Sequence, residues 1–192
     1  MGLASHGYEV IRRNPSSFTP LPDGRYLMLG PDRDLNQREI SKFSSRDAEM
    51  YPRYEQALEE VAAFIDPILL MTPPGIPPRG RKDISTLLTL LRHTFKAQPK
   101  VLARLMRLMF CNPVSYLDSW FGTDSLKATL LTDSLIGAIN LTGYVLLHHV
   151  MGEAGGARGV WGYQRGGMGE ISESLARVAE RAGVQIRTNR AV

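Results

Sequence analysis

The stretch Tyr54-Glu-Gln-Ala-Leu-Glu-Glu-Val-Ala-Ala-Phe-Ile65 indicates the structural class of this chain more clearly than any other. Its apolar residues recur at spacings of three and four, so they share one helix face and leave the acids on the other. Ile40 and Phe43 carry the pattern upstream. We therefore predict helical structure from Asn36 to Asp66-Pro67, where the proline ends or kinks the helix.

Short β-prone segments come before this helix. Tyr8 to Ile11 and Tyr26 to Leu29 are such segments, and Leu21-Pro-Asp-Gly24 has the composition of a turn. The opening of the chain is therefore predicted to form two or three strands.

Proline and glycine interrupt the pattern after the long helix. Residues 72–82 hold four prolines and two glycines, which neither a helix interior nor a central strand accommodates. We predict a linker or a long surface loop here. Segments rich in leucine and methionine follow, and they predict helices over 84–95, 101–110, 114–120 and 125–139. Asp124 is the expected cap of the last one.

The remainder of the chain is less regular. Residues 144–151 are apolar and β-prone, but the run is too short for periodicity to separate a strand from a buried helix. A glycine-rich stretch covers 152–169, a helical stripe runs from Ile171 to Ala179, and Val184 to Arg187 is predicted to form a strand. This order of loop, helix and strand suggests a sheet that continues beyond the chain.

Charge is unevenly distributed. Residues 79–107 hold eight basic residues and one acid, a net charge of +7, so the rest carries −3 of the overall +4. This basic segment is interpreted in three ways: a solvated face, a surface for an anionic membrane or partner, or a nucleic-acid site. Leucine and methionine separate the charges and no aromatic stacking platform is interleaved, which counts against nucleic acid.

Composition excludes several classes of site. The single cysteine, Cys111, rules out an internal disulfide framework, a CxxC pair and a cysteine-based zinc cluster. The four histidines have no metal-ligand spacing, because the adjacent His148 and His149 diverge on either a strand or a helix. We predict no metal site. The N-terminus lacks a signal-peptide pattern and no apolar run reaches membrane-spanning length, so a soluble chain is expected.

A glycine turn precedes the last predicted helix. Gly166-Gly-Met-Gly169 resembles an anion-binding helix start, but the third glycine of a dinucleotide fingerprint is replaced by Ser172 and no acid lies beyond Glu180. The simpler interpretation is a tight turn. The aromatic residues Trp120, Phe121, Trp161 and Tyr163 are interpreted either as lining an apolar pocket or, more commonly, as core.

Several stretches form a specific pattern, and the main ones are Gly143-Tyr-Val-Leu-Leu-His-His-Val-Met-Gly152, Gly159-Val-Trp-Gly-Tyr163, Arg165-Gly-Gly-Met-Gly169, Asn14-Pro-Ser-Ser-Phe-Thr-Pro20, Lys127-Ala-Thr-Leu-Leu-Thr-Asp133 and Ile136-Gly-Ala138. Together they resemble the phytoene-dehydrogenase-like flavoproteins over nearly the whole chain. The chain departs from the family in its short 140–142 segment and in lacking the dinucleotide fingerprint.

The resemblance implies an α+β chain, a mostly helical substrate domain with short strands within an FAD/NAD(P)-binding flavoprotein of the phytoene desaturase and amine oxidase type. It divides the chain into strands plus a long helix (1–71), a linker (72–82), a helical substrate domain (83–151) and a return to the FAD-binding domain (152–192). The cofactor implied is FAD. Its implied contacts are Val192, expected against the adenine, and the glycine pair Gly166 and Gly167.

Two hypotheses about function follow. In the first, the chain is a portion of an FAD-dependent dehydrogenase or desaturase acting on a hydrophobic substrate, inactive alone and with no catalytic residue identified. In the second, it is a non-catalytic module that binds a mitochondrial partner or an anionic membrane surface through residues 79–107, and not nucleic acid. The resemblance implies a location in the mitochondrial matrix if the protein is eukaryotic and in the cytoplasm otherwise. A secreted protein is not expected.

Overall fold

A computed structural model describes residues 2–132, 142–154 and 156–190. It is mostly helical. The helices are α1 (Arg33–Ser41), α2 (Ser45–Leu69), α3 (Arg81–Lys96), α4 (Pro99–Phe110), α5 (Pro113–Asp118), α6 (Asp124–Leu131), α7 (Leu147–Met151) and α8 (Gly169–Arg181), with 3-10 turns at Leu3–His6 and Gly143–Leu146. The strands are β1 (Val10–Arg12), β2 (Ser17–Pro20), β3 (Tyr26–Leu29), β4 (Glu153–Ala154), β5 (Ala157–Arg158) and β6 (Gly162–Gln164).

The strands form three small antiparallel pairs. β2 and β3 are a hairpin with Ser17 opposite Leu29, and β4 pairs with β5. β1 pairs with β6, which brings Val10 opposite Gln164 and joins the first of these strands to the last. The predicted α+β composition, helices with a few short strands, is confirmed.

α2 is the central element of the core. A serine cap starts it, because the Ser44 hydroxyl accepts a hydrogen bond from the Asp47 amide at 3.1 Å. Its apolar stripe is the one that the sequence predicts, and Tyr54, Leu58 and Val61 are almost fully buried. The stripe packs against α1, α4 and α7, so a single amphipathic face organises most of the fold.

Asp47 ties α2 to the segment before α6. Its carboxylate is fully buried and accepts hydrogen bonds from the Gly122 amide at 3.1 Å and the Thr123 amide at 2.8 Å. Burial works against the charged form, but hydrogen bonds from the Thr123 side chain and both amides outweigh it and hold the pKa of Asp47 below its ordinary value.

Two sequence-based boundaries change in the structure. α2 does not end at Asp66-Pro67 but continues through Pro67 to Leu69, as it also continues through Pro52. The cap of α6 is Thr123, and Asp124 is the first helical residue. The ambiguous run 144–151 is helical, and the predicted helix over 125–139 is described only as far as Leu131.

The strand predicted over Val184 to Arg187 is wrong. Within the described part of the chain, these residues pair with no other strand. α8 ends in a turn in which Gly183 has a φ of +87° and the Val184 amide donates to the Ala179 carbonyl oxygen at 3.0 Å. The Val184 donor therefore closes the helix, and a lone β-prone segment without a neighbour has no ladder to join.

The segment from 72 to 80 carries neither helix nor strand, and α3, which follows it, has no buried residue. None of the helices in the described ranges is both long and apolar enough to cross a bilayer. The proposed division into four segments remains a prediction.

Candidate functional site

A cavity of about 620 Å³ lies between α2 and the β2–β3 hairpin. α6, the second 3-10 turn and α7 close its far side, and the loop between β5 and β6 contributes to its rim. Pockets of about 300–1,000 Å³ are the ordinary size for small-molecule sites. The volume is therefore adequate for a small organic ligand.

Aliphatic side chains form much of the cavity wall. Leu58 and Ala62 come from the buried stripe of α2, Leu29 from β3, and Leu146 and Val150 from the segment around α7. The same helical period that builds the core thus also presents apolar surface to the cavity. Such a wall suits a hydrophobic ligand.

Hydroxyl groups share the lining with these aliphatic side chains, and they come from serine, threonine and tyrosine residues on several elements. Ser16 is 6% exposed, and its Oγ has no hydrogen-bond partner among the described residues. Thr129 Oγ1, in contrast, lies 2.9 Å from both the Thr19 hydroxyl and the Ser125 carbonyl oxygen. Because a buried hydroxyl without a partner is costly, Ser16 is a group in this wall with capacity to bind a polar atom of a ligand.

Tyr51 and Glu55 form the titratable pair of the cavity, one turn apart on α2. Burial raises the pKa of the Tyr51 phenol well above its ordinary value, and the neighbouring Glu55 carboxylate raises it further by charge repulsion and by a hydrogen bond. Tyr51 is therefore a neutral donor, engaged with Glu55, throughout the physiological pH range.

Arginines mark the rim. Arg33 lies 3.0 Å from Glu59 and 3.9 Å from Glu55, and Arg158 pairs with Asp66. Both guanidinium groups thus lie beside acids of α2, of which Glu59 is exposed and Glu55 and Asp66 are partly buried. The rim is polar, and the interior contains both apolar and polar side chains. This arrangement suits an amphipathic ligand whose apolar part points inward.

The aromatic residues proposed for an apolar pocket separate into two groups. Trp161 lines the cavity. Trp120 and Phe121 instead pack on Tyr54, with ring centroids 5.7 and 5.1 Å apart, and belong to the core. Tyr163 is 58% exposed and does not line the cavity. For Trp120 and Phe121 the core interpretation is therefore correct.

The glycine pair lies at the turn between β6 and α8. Gly166 and Gly167 both have positive φ, +83° and +87°, which explains the need for glycine without any ligand. Two amides at the start of α8 are already engaged, since Glu170 N donates to Gly167 O at 3.2 Å and Ile171 N to Met168 O at 3.2 Å.

This helix start does not fit a flavin pyrophosphate. Besides the engaged amides, its first turn carries the carboxylate of Glu170, which pairs with Arg177 and would repel a phosphate. Val192 lies outside the described residues. The FAD contacts of Gly166, Gly167 and Val192 therefore stay predictions.

Three of the four histidines lie on two different helices, α3 and α7. His93 stacks on Phe64 with centroids 4.7 Å apart, and its Nε2 lies 2.8 Å from the Phe64 carbonyl oxygen. His148 and His149 are both on α7. No group of three metal-ligand side chains occurs within residues 2–132, 142–154 and 156–190.

The polar side chains of the cavity were not predicted from the sequence. Glu55 was assigned with the other acids to the outer face of α2, and Tyr51 falls just before the stretch that carries the pattern. Ser16 lies in Asn14-Pro-Ser-Ser-Phe-Thr-Pro20, which contributed to the resemblance but showed no motif of its own. This stretch held the available signal. It was not interpreted as part of a binding site, because polar residues between β-prone segments ordinarily mark a loop.

No protein-family model matches the chain. A protein from rat is 40% identical to this chain over 208 aligned positions, which include 99% of the chain. That protein is pyridine nucleotide-disulfide oxidoreductase domain-containing protein 2. The mouse protein of the same name is 39% identical over the same share of the chain.

A more distant similarity extends to a phytoene desaturase of the fungus Cercospora nicotianae, 24% identical over 99% of the chain. The chain spans only 36% of the length of pyridine nucleotide-disulfide oxidoreductase domain-containing protein 2 and 28% of the phytoene desaturase. The chain is therefore similar along its length to a portion of oxidoreductase-named proteins, which agrees with the resemblance at a coarse level.

Proposed function

We propose that this chain is the substrate-side portion of an FAD-dependent oxidoreductase, of the dehydrogenase or desaturase type, that acts on a hydrophobic substrate. The observation that carries the proposal is the cavity of about 620 Å³, in which aliphatic side chains of α2, β3 and the segment around α7 line part of a mixed wall. The similarity to oxidoreductase-named relatives along 99% of the chain supports it.

The cavity supplies binding, orientation and exclusion of water. Leu58, Ala62 and Val150 would surround the apolar body of the substrate, while Ser16 Oγ would accept or donate one hydrogen bond to a polar end. In cofactor enzymes the redox chemistry belongs to the cofactor, and the protein positions the substrate against it. We assign to this chain only the positioning role.

Phosphate binding is assigned to a segment outside these residues. The start of α8 does not fit a pyrophosphate, and the chain covers about a third of its relatives. Titration of the purified chain with FAD, followed by visible absorbance and fluorescence, should show no saturable binding. Saturable binding would contradict this assignment.

The cavity itself is tested with the neutral apolar dye Nile red. The wild-type chain should bind the dye with increased, blue-shifted emission. Ala63 is an exposed α2 residue at the cavity wall, so Ala63→Trp should fill the entrance and lower the affinity about tenfold or more. Ala103→Trp, at an exposed position of α4 away from the cavity, is the matched control and should bind like wild type.

Equal affinity of both tryptophan variants, with unchanged helical circular dichroism, would exclude this cavity as the hydrophobic site. The mitochondrial location and a protein partner stay predictions.

A further inference from the structure

α3 exposes a continuous apolar stripe, which we call the α3 stripe: Ile84, Leu88, Leu91 and Phe95. These side chains are 50%, 49%, 53% and 86% exposed. Their spacing of four, three and four residues aligns them along one side of the helix. Large apolar side chains in such a row on an exposed helix face mark an interaction surface.

The helix is held with this stripe outward. On the other side of α3, His93 stacks on Phe64 of α2, with its Nε2 2.8 Å from the Phe64 carbonyl oxygen. At the helix start, the Asp83 carboxylate accepts a hydrogen bond from the Arg79 amide at 2.8 Å. Because the His93 side of α3 contacts α2, the exposed α3 stripe on the opposite side faces away from the core.

Basic side chains accompany the stripe. At about 100° per residue, Arg81, Arg92 and Lys96 project on one side of it, and Lys82 lies further round. All four are exposed and have no ion pair within the described ranges.

The basic residues of α4 differ from those of α3. Lys100 and Arg104 pair with Glu60 of α2, and the Arg107 guanidinium lies 5.7 Å from the centroid of the Tyr116 ring. The structure thus divides the basic segment 79–107 into a part used to attach α4 and a part on α3 whose charges remain available.

We propose that the α3 stripe binds the surface of an anionic lipid bilayer, with α3 lying in the plane of the membrane. A row of apolar side chains flanked by lysine and arginine is the arrangement of interfacial helices, in which apolar groups enter the acyl boundary and cations contact lipid phosphates. The unpaired positive charge complements an anionic headgroup layer. This proposal uses residues that do not line the cavity, so it stands independently of the proposed function.

Vesicle co-sedimentation of the 192-residue chain tests the proposal. Vesicles of equimolar phosphatidylcholine and phosphatidylserine should bring the protein into the pellet, whereas pure phosphatidylcholine should retain much less. Binding to the anionic vesicles should fall as salt is raised, because exposed charges are screened over about 8–10 Å at physiological ionic strength.

Two pairs of substitutions separate the charge from the apolar contribution. Arg92→Gln with Lys96→Gln should lower the partition coefficient on anionic vesicles about thirtyfold, since each cation near the surface contributes about fivefold. Leu88→Gln with Phe95→Gln should lower the same partition coefficient about a hundredfold, because the two substitutions remove the apolar area that these side chains would bury in the bilayer. Arg187→Gln with Arg190→Gln removes two exposed cations elsewhere and is the matched control.

A tryptophan reporter gives a second measurement that does not weaken the stripe. Phe95→Trp should show a blue shift in emission with anionic vesicles, and quenching by brominated lipid, beyond any change in the wild-type protein. Partition that is unchanged in both glutamine pairs, or a Phe95→Trp signal insensitive to lipid, would overturn the proposal. If the chain instead forms a dimer that buries the α3 stripe and does not bind vesicles, the proposal is also overturned. The stripe would then bind a second copy of the chain.

Discussion

At the residue scale, Asp47 shows how a buried charge joins parts of the chain that are distant in sequence. Its carboxylate binds amides 75 and 76 residues away, so it fixes the start of α6 relative to α2. A buried carboxylate is tolerated only with such partners. The aspartate is therefore a structural residue, although an acid on a helix is ordinarily a solvent-facing one.

Asp47→Asn should lower the free energy of unfolding at pH 7 by about 2 kcal/mol, because it removes the charge and places an NH2 donor near the Gly122 amide, which lies 3.1 Å from both carboxylate oxygens. The folded-state pKa is below the unfolded one, so this contribution is present above about pH 4 and is lost as pH falls through the folded pKa. Urea unfolding from pH 7 to pH 3 should show the gap between wild type and variant closing. Glu49→Gln, an exposed change on the same helix, should leave stability within about 0.5 kcal/mol.

At the element scale, α3 and α4 have similar leucine-rich, basic sequences but different environments. α4 buries Val101 and Leu108 in the hydrophobic core, whereas α3 buries no residue. Ion pairs from Lys100 and Arg104 to Glu60 add to the attachment of α4. Composition predicts both helices correctly and is silent about which of them enters the core.

Leu108→Ala should cost about 2–5 kcal/mol, since it removes a fully buried side chain from the core. Leu91→Ala makes the same chemical change at a position that is 53% exposed and should cost less than about 1 kcal/mol. Chemical denaturation of the two variants compares the helices directly. Equal losses would contradict the exposed placement of α3.

At the scale of the whole molecule, the segment after β5 packs on the first residues of the chain. β6 pairs with β1, and the Arg177 side chain of α8 donates to the His6 carbonyl oxygen at 2.7 Å. These contacts span more than 150 residues in sequence. The N-terminal turn and α8 should therefore open together.

Arg177→Ala should expose both segments. It removes the hydrogen bond to His6 and the ion pair with Glu170, which together contribute about 1–2 kcal/mol. Hydrogen exchange should become faster for residues 2–7 and 169–181 and stay unchanged in α2. Arg187→Ala, another exposed arginine near the same end, is the control, and equal effects of the two variants would show that the contact with His6 has no such role.

The helical part of the fold was predictable, because a period of 3.6 residues in apolar side chains is a local property of sequence. α2, α3, α4 and α8 were all found, and proline and glycine marked the segment between α2 and α3. The strand over Val184 to Arg187 failed for a physical reason: a strand needs a neighbour, and whether one exists is not a local property.

The cavity was not predictable to the same extent. The aliphatic residues of its wall belong to predicted stripes, but Ser16, Tyr51 and Glu55 meet there only after the β2–β3 hairpin folds over α2. The aromatic residues that were candidates for lining an apolar pocket divide between the core and the cavity wall. Nothing in their sequence spacing separates Trp120 from Trp161.

The sequence by itself determined the mostly helical character of this chain, the long amphipathic α2, the basic segment and the resemblance to flavoproteins. Each of these follows from neighbours along the chain or from composition. Only the tertiary structure decided which apolar stripe is buried, which basic residues remain unpaired and where a cavity opens. These depend on contacts between residues far apart in sequence, and so on how the helices pack together.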